Sequence, residues 1–273
     1  MRHARGIVGL LILGVVLIGA VGAPVLAPEP DEQNLLNRLK PPGWQGSRGQ
    51  VHVLGTDELG RDVLARVLHG SRTSLLIGFL SVMLAGAVGT ALGVMAGHYR
   101  GATEKVIMRI VDIQMSFPPL VMAIAVVTVL KPGLGSVILT LGVVGWVVYT
   151  RIVRAEVLKL REMEFMLAAR ALGATDSYII GRYIVPHVLV SVLVVASFAA
   201  AQMIIAESSL SFLGLGLPAG VPTWGNMISD ARNVLSKGWW LAAMPGGALL
   251  LTLLALNFVG DWLRDVLDPT LQL

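Results

Sequence analysis

The chain contains no cysteine, and only 14% of its 273 residues are Asp, Glu, Lys or Arg. The first absence excludes disulfides, thiolate metal sites and a cysteine nucleophile, and leaves the redox compartment open. The second excludes an ordinary soluble domain, which carries roughly a quarter charged residues. Motifs that perform chemistry are missing as well. A P-loop needs Lys followed by Ser or Thr after a glycine-rich turn, so that backbone N–H groups cradle phosphates. Lys40, Lys105, Lys131, Lys159 and Lys237 all lack that neighbour. No His-Glu-x-x-His pair and no Gly-x-Ser-x-Gly elbow occurs. His3, His52, His69, His98 and His187 are scattered along the chain. No catalytic residue, metal or cofactor is therefore expected. The net charge of +4 is spread over short polar segments, which argues against the basic stripe of a nucleic-acid binder.

What the chain has is apolar sequence, 55% of its residues. Six uncharged stretches approach the length needed to cross a hydrocarbon core of about 30 Å: Ile7–Ala27, Thr73–Gly97, Ile113–Leu130, Pro132–Thr150, Tyr183–Ala206 and Trp239–Gly260. The first follows Arg2 and Arg5 as a signal peptide would. Its core is too long for one, and the small residues Ala23 and Ala27 are each followed by proline, so it reads as an uncleaved span. A seventh stretch, Ser208–Ser229, is broken by Gly214, Gly216, Pro218, Gly220, Pro222 and Gly225. Unpaired backbone of that kind is tolerated only against protein or water, so it reads as an extracytoplasmic loop that dips toward a pore. With the N-terminus inside, both termini and segments 98–112 and 151–182 are cytoplasmic, and these carry the larger share of Lys and Arg. Arg66 and Arg72 weaken that bias.

The spans themselves are almost free of ionisable residues, which ion-coupled carriers and proton pumps need along their paths. Glu207, placed just past the fifth span, is the nearest exception. It reads as a solvated surface charge, a bonded structural group or part of an outer gate. A self-sufficient channel or an ion-coupled secondary transporter is the rival reading, and an intramembrane enzyme a distant third.

Residues 151–172 read as one helix, rich in Ala, Leu, Glu, Arg and Met without internal Gly or Pro. Gly173 supplies a left-handed stop. Thr175 and Asp176 are expected to cap a second short helix through Gly181, and Pro186 to open the next span. The product is a helix, a tight turn and a short helix with a small-residue tip at Ala168, Ala169 and Ala171. It fits a docking element or an ordinary connector. Before the second span, Asp62 is expected to cap a short interfacial helix with Val63, Leu64, Val67 and Leu68 on one face. Trp239 and Trp240 fit an aromatic belt. The glycines around Gly86, Gly89, Gly93 and Gly97 suggest close helix contact.

The run Ala168-Ala169, Gly173, then Tyr183 to Pro186 resembles the EAA loop of ABC importer permeases. Leu54 to Asp62 (LGTDELGRD) with Arg66, Gly70, Arg72, Ser74 and Leu75 is similar to the signature of the dipeptide/oligopeptide/nickel permeases, in their C-type subunit. Glu207 to Gly216 (ESSLSFLGLG), Pro222 to Gly225, Trp239-Trp240 and Asn257 through Asp268-Pro269 resemble the same subunit. The matches run from about Val53 to Pro269. One departure is Leu167, where the family usually holds its first Glu; Glu164 lies one turn earlier.

The resemblance implies an all-α polytopic permease of six spans with the MetI-like fold. It implies an N-terminal span and extracytoplasmic segment (1–72) and a permease core (73–273) with a coupling loop at 151–186. Implied partners are a B-type permease, two cytoplasmic ATP-binding subunits and an extracytoplasmic solute-binding protein. Glu164, Leu167, Ala168, Ala169, Arg170, Gly173 and Asp176 would then form the loop that couples to the ATPase. The implied cargo is a di- or oligopeptide or a related small solute, carried inward across a bacterial or archaeal inner membrane.

Overall fold

The computed structural model describes residues 2–27, 29–46, 49–218 and 220–267, and they are mostly helical. Five continuous helical runs are long and apolar enough to cross a membrane. They are α1 (Arg2–Leu26), α2 (Val63–Tyr99), α5 (Leu134–Arg161), the run ending in α8 (Val185–Phe212), and α10 (Trp240–Leu267). A sixth apolar stretch is split, because α3 (Gly101–Met115) and α4 (Pro119–Val129) meet at 96°, the geometry of a broken span or a re-entrant loop. The sequence gives no warning of that bend within Ile113–Leu130 except its two prolines. Pro118 and Pro119 lack the N–H that a continuous helix needs, and Pro118 is extended at φ −57, ψ 133. The eleven residues of α4 span only about 16 Å, roughly half a hydrocarbon core. Only together with α3 can it cross.

Helix α2 is 37 residues, or roughly 55 Å. Asp62 caps it, its Oδ1 accepting the Ala65 N–H at 2.8 Å. The separate short helix expected there does not form: Val63, Leu64, Val67 and Leu68 are simply the first turns of α2. No proline stops it, and the charge of Arg66 is met by carboxylates on three sides.

The closest packing is between α2 and α5. Gly89, Gly93 and Gly97 recur every fourth residue, on one face of α2. A Cβ on Gly93 would lie 2.7 Å from Val153 Cβ, and one on Gly97 would lie 2.7 Å from Val157 Cβ. The helices therefore touch backbone to side-chain root, as small-residue faces allow in lipid. Thr150 Oγ1 donates to the Gly89 carbonyl at 3.1 Å across the contact. The core extends from there through Ile77, Ala85, Leu141, Tyr149 and Leu210.

One end of the bundle, here the cap end, is closed by residues 29–46 and 49–62 and by α9 (Trp224–Ala231). A two-stranded antiparallel ribbon, β1 (Trp44–Gln45) and β2 (Val51–His52), pairs Trp44 with His52. Thr56 is wholly buried and ties the segment down: its Oγ1 donates to the Asn37 carbonyl and accepts the Lys40 N–H at 2.8 Å. Trp240 Nε1 donates to the Thr56 carbonyl at 3.3 Å. Trp240 is therefore a buried anchor of the cap, while Trp239, 61% exposed, alone suits a membrane-belt position. The stretch 208–229 is only partly loop. Its first residues continue α8 to Phe212, and Thr223 caps α9 by accepting the Asn226 N–H at 3.0 Å. Gly225 lies so close to α8 that a Cβ would sit 2.6 Å from Ser208 Cα. Asp268 and Pro269 lie outside the described residues.

Candidate functional site

At the opposite end, here the loop end, the helix expected over residues 151–172 is interrupted. Helix α5 stops at Arg161, Met163 turns extended (φ −76, ψ 143), and α6 (Glu164–Ala171) starts in a new direction. The break lets Met166 point inward. It is 1% exposed and packs with Val94, Val153, Val157, Ile179 and Val188. The opposite face of α6 is left open: Glu164, Leu167, Ala168 and Ala171 are exposed, while Ala169 and Arg170 are half-buried. Glu164 and Leu167 thus lie one turn apart on the open side.

Gly173 ends α6 as expected, in the left-handed region at φ +84. Its N–H donates to the Arg170 carbonyl at 2.9 Å, and the Ala174 N–H reaches the Ala169 carbonyl at 3.1 Å. This pair of bonds satisfies the last carbonyls of the helix. Leu172, just before the turn, is 89% exposed. A shallow pocket opens beside it, lined by Ala169, Leu172, Gly173, Thr175, Tyr178 and Tyr183. Leu167, Leu172 and Tyr178 thus leave apolar surface open around a tight turn.

The second half of the loop departs from expectation. Thr175 caps α7 (Asp176–Ile179), but no separate helix ends at Gly181. The chain runs through one π turn, Ile180–Ile184, straight into α8. Pro186 accounts for this: it has no N–H to return to Arg182, and the Val185 N–H bonds to the Ile180 carbonyl five residues back. Asp176 does not act as the cap. Its Oδ1 lies 2.8 Å from Nε2 of His98, a 4%-exposed residue at the end of α2. Arg161 donates to the Gly97 carbonyl at 3.3 Å and to the His98 carbonyl, meeting the orphan acceptors of the α2 terminus. Arg100 pairs with Glu162, and Arg154 with Glu104 of α3. The tip is thus open on its outer face and tied to α2 through Asp176 and His98, while ion pairs behind it join α5 to α3 and to the end of α2. His98, Arg161 and Glu162 have no local sequence signal for this role.

Glu207 lies within the α8 run, not past it, and is wholly buried. The solvated-surface reading falls. Ser211 Oγ donates to its Oε1 at 2.8 Å and Ser208 Oγ to Oε2 at 3.4 Å, with the Ser74 and Thr223 hydroxyls alongside. These hydroxyls come from α2, α8 and the turn before α9, so the carboxyl joins three elements beneath the cap. Nearby, the 2%-exposed Arg66 sits 3.7 Å from Asp57, 3.7 Å from Asp230 and 3.9 Å from Asp31. Burial pushes the Asp230 carboxyl up from its ordinary range, against the opposing pull of Arg66 and Arg61.

Residues 89–273 match the family described as the inner-membrane component of binding-protein-dependent transport systems. Residues 1–42 match the N-terminal transmembrane domain of oligopeptide transport permease C. The chain is 38% identical to a dipeptide transport system permease protein of Alkalihalophilus pseudofirmus, over 99% of this chain and 88% of that one. It is 37% identical to a di/tripeptide transport system permease protein of Pseudomonas aeruginosa, over 99% and 90%. An oligopeptide transport system permease protein of Bacillus subtilis is 38% identical, over 97% and 85%. Among solved structures, an inward-facing methionine ABC transporter superposes with a TM-score of 0.60 at 17% identity, covering 74% of this chain and 96% of the other. An amino acid ABC transporter superposes with a TM-score of 0.54 at 16% identity, covering 76% and 93%. The last two speak to the fold alone.

Proposed function

The chain belongs to the family of inner-membrane components of binding-protein-dependent transport systems, and from that premise we propose that it is the C-type permease subunit of an ATP-driven peptide importer. Its cargo would be di- or oligopeptides or a related small solute, as the relatives' names suggest. It would work beside a B-type permease, two cytoplasmic ATP-binding subunits and an extracytoplasmic binding protein. The loop end then faces the cytoplasm with both termini, and the cap end faces the binding protein. Residues 1–72 form the N-terminal span with most of the cap, and 73–273 the permease core.

The observation that carries the coupling assignment is the open tip around Gly173, apolar at Leu167 and Leu172. Glu164, Ala168, Ala169 and Arg170 would share the contact with the ATPase. Asp176 would hold the tip to α2 through His98, so that movement of the tip moves the bundle. Two packed states with different contacts to the ATPase would then exchange as rigid bodies. Membership of this family favours the reading over a stand-alone channel or an ion-coupled carrier, which has no use for a docking tip. Reconstituting the chain with its partner subunits in vesicles and measuring labelled dipeptide uptake tests it. Uptake that needs both ATP and binding protein is expected; uptake driven by an ion gradient without ATP would overturn it.

A further inference from the structure

A groove of about 670 Å³ lies between the loop ends of α5, α8 and α10. Glu156 and Lys159 line it from α5, Val190, Ser191 and Val194 from α8, and Arg264 from α10. Glu156 and Lys159 are one turn apart on the same helix face. One Glu156 oxygen accepts the Ser191 hydroxyl at 2.6 Å, while the other is buried without a partner. Buried carboxylate oxygens are rarely left so, because the unmet acceptor costs free energy. Among the described residues neither Lys159 nor Arg264 pairs with a carboxylate. Among the described residues the groove therefore presents one unmet carboxylate oxygen, on Glu156, beside two cations that pair with no carboxylate. A ligand that meets both carries an ammonium and an oxyanion a few atoms apart.

The position decides which zwitterion. The groove sits near the loop ends of three apolar helices and is lined both by charged side chains and by Val190, Val194 and Val195. Basic pockets between helices at that depth hold lipid headgroups. We propose that this groove seats one phosphatidylethanolamine molecule of the adjoining leaflet. Its phosphate lies between Lys159 and Arg264, its ammonium donates to Glu156, and the start of an acyl chain follows Val190 and Val194. Phosphatidylcholine cannot replace it, since its quaternary nitrogen has no N–H. Phosphatidylglycerol supplies the phosphate and no ammonium. The inference stands whatever solute the protein carries.

The test is native mass spectrometry of the complete transporter, purified with its partner subunits and given equal amounts of the three lipids. The intact complex mass shows in the same spectrum that each variant assembles. The wild type is expected to retain phosphatidylethanolamine over the other two by roughly ten-fold or more, the worth of one charge-assisted hydrogen bond. Glu156→Gln should lose that preference over phosphatidylglycerol. The double variant Lys159→Gln/Arg264→Gln should lose retention of all three. Equal retention of the three lipids by the wild type, or an unchanged preference in Glu156→Gln, would overturn the assignment. So would displacement of the bound lipid by a dipeptide, which would make the groove a cargo site. Absence of any retained lipid would overturn it too, as a groove sealed by the partner permease requires.

Discussion

Replacing Gly93 with alanine adds one methyl group where α2 and α5 meet, and its consequence can be worked from the geometry. The new Cβ would stand 2.7 Å from Val153 Cβ and 2.9 Å from the Thr150 carbonyl oxygen. Carbon atoms pack at about 3.5–4.0 Å, so the helices must part by about 1 Å. Overpacking of this size costs about 1–3 kcal/mol. Alanine's better helix propensity returns up to about 1 kcal/mol. Gly14 in α1 is the control, since a Cβ there meets nothing within 4 Å. Gly14→Ala should therefore leave stability unchanged or raise it, while Gly93→Ala lowers it. The assay is the unfolding midpoint of the purified complex in a detergent titration. Val153→Ala, combined with Gly93→Ala, should recover part of the loss and give a favourable interaction energy between the two sites. Equal midpoints for Gly14→Ala and Gly93→Ala would refute the close-contact argument.

Glu207→Gln should preserve assembly and most transport, because the amide oxygen can still accept the Ser211 hydroxyl while its NH2 donates to the Ser208 oxygen. Glu207→Leu leaves those buried hydroxyls unmet, at about 1–3 kcal/mol for each group, and should reduce the amount of assembled complex; identical behaviour of the two variants would contradict a structural joint. The absence of native cysteine makes topology directly readable. Leu36→Cys, at an 89%-exposed position in the cap, should react with an impermeant thiol reagent in intact cells, and Ser177→Cys only after permeabilisation. The reverse pattern would invert the orientation.

Much of the fold is legible because lipid imposes a simple rule: an apolar run long enough to cross must be helical. Five of the six apolar runs lie largely within single helical runs, Ile113–Leu130 being broken at Pro118, and Gly173 takes the left-handed turn that its place after Ala171 and Leu172 suggests. Breaks and joins are harder to read. Residues 151–172 contain no helix breaker, and the interruption at Met163 accompanies the burial of Met166 in a cluster drawn from α2, α5, α7 and α8. The continuity of α2 past Arg66 depends on Asp31, Asp57 and Asp230, which no local pattern connects. His98 and Asp176 are 78 residues apart, so their pairing belongs to the tertiary structure alone. Pro186 is the exception in kind. Its missing N–H implies a local adjustment, and the π turn is the form that adjustment takes within a run that stays helical.

The central claim is that the tip around Gly173 passes work between this subunit and an ATPase. Leu172→Asp changes a side chain that is 89% exposed, and Gly173→Val strains the turn by about 1–2 kcal/mol without meeting any neighbour. Neither touches a membrane helix, so a pull-down should recover the paired permeases intact. The decisive measurement is ATPase activity of the reconstituted complex with and without cargo-loaded binding protein. Both variants should lose the stimulation and the uptake together. Wild-type stimulation and uptake in both would reduce the loop to a connector and contradict the account.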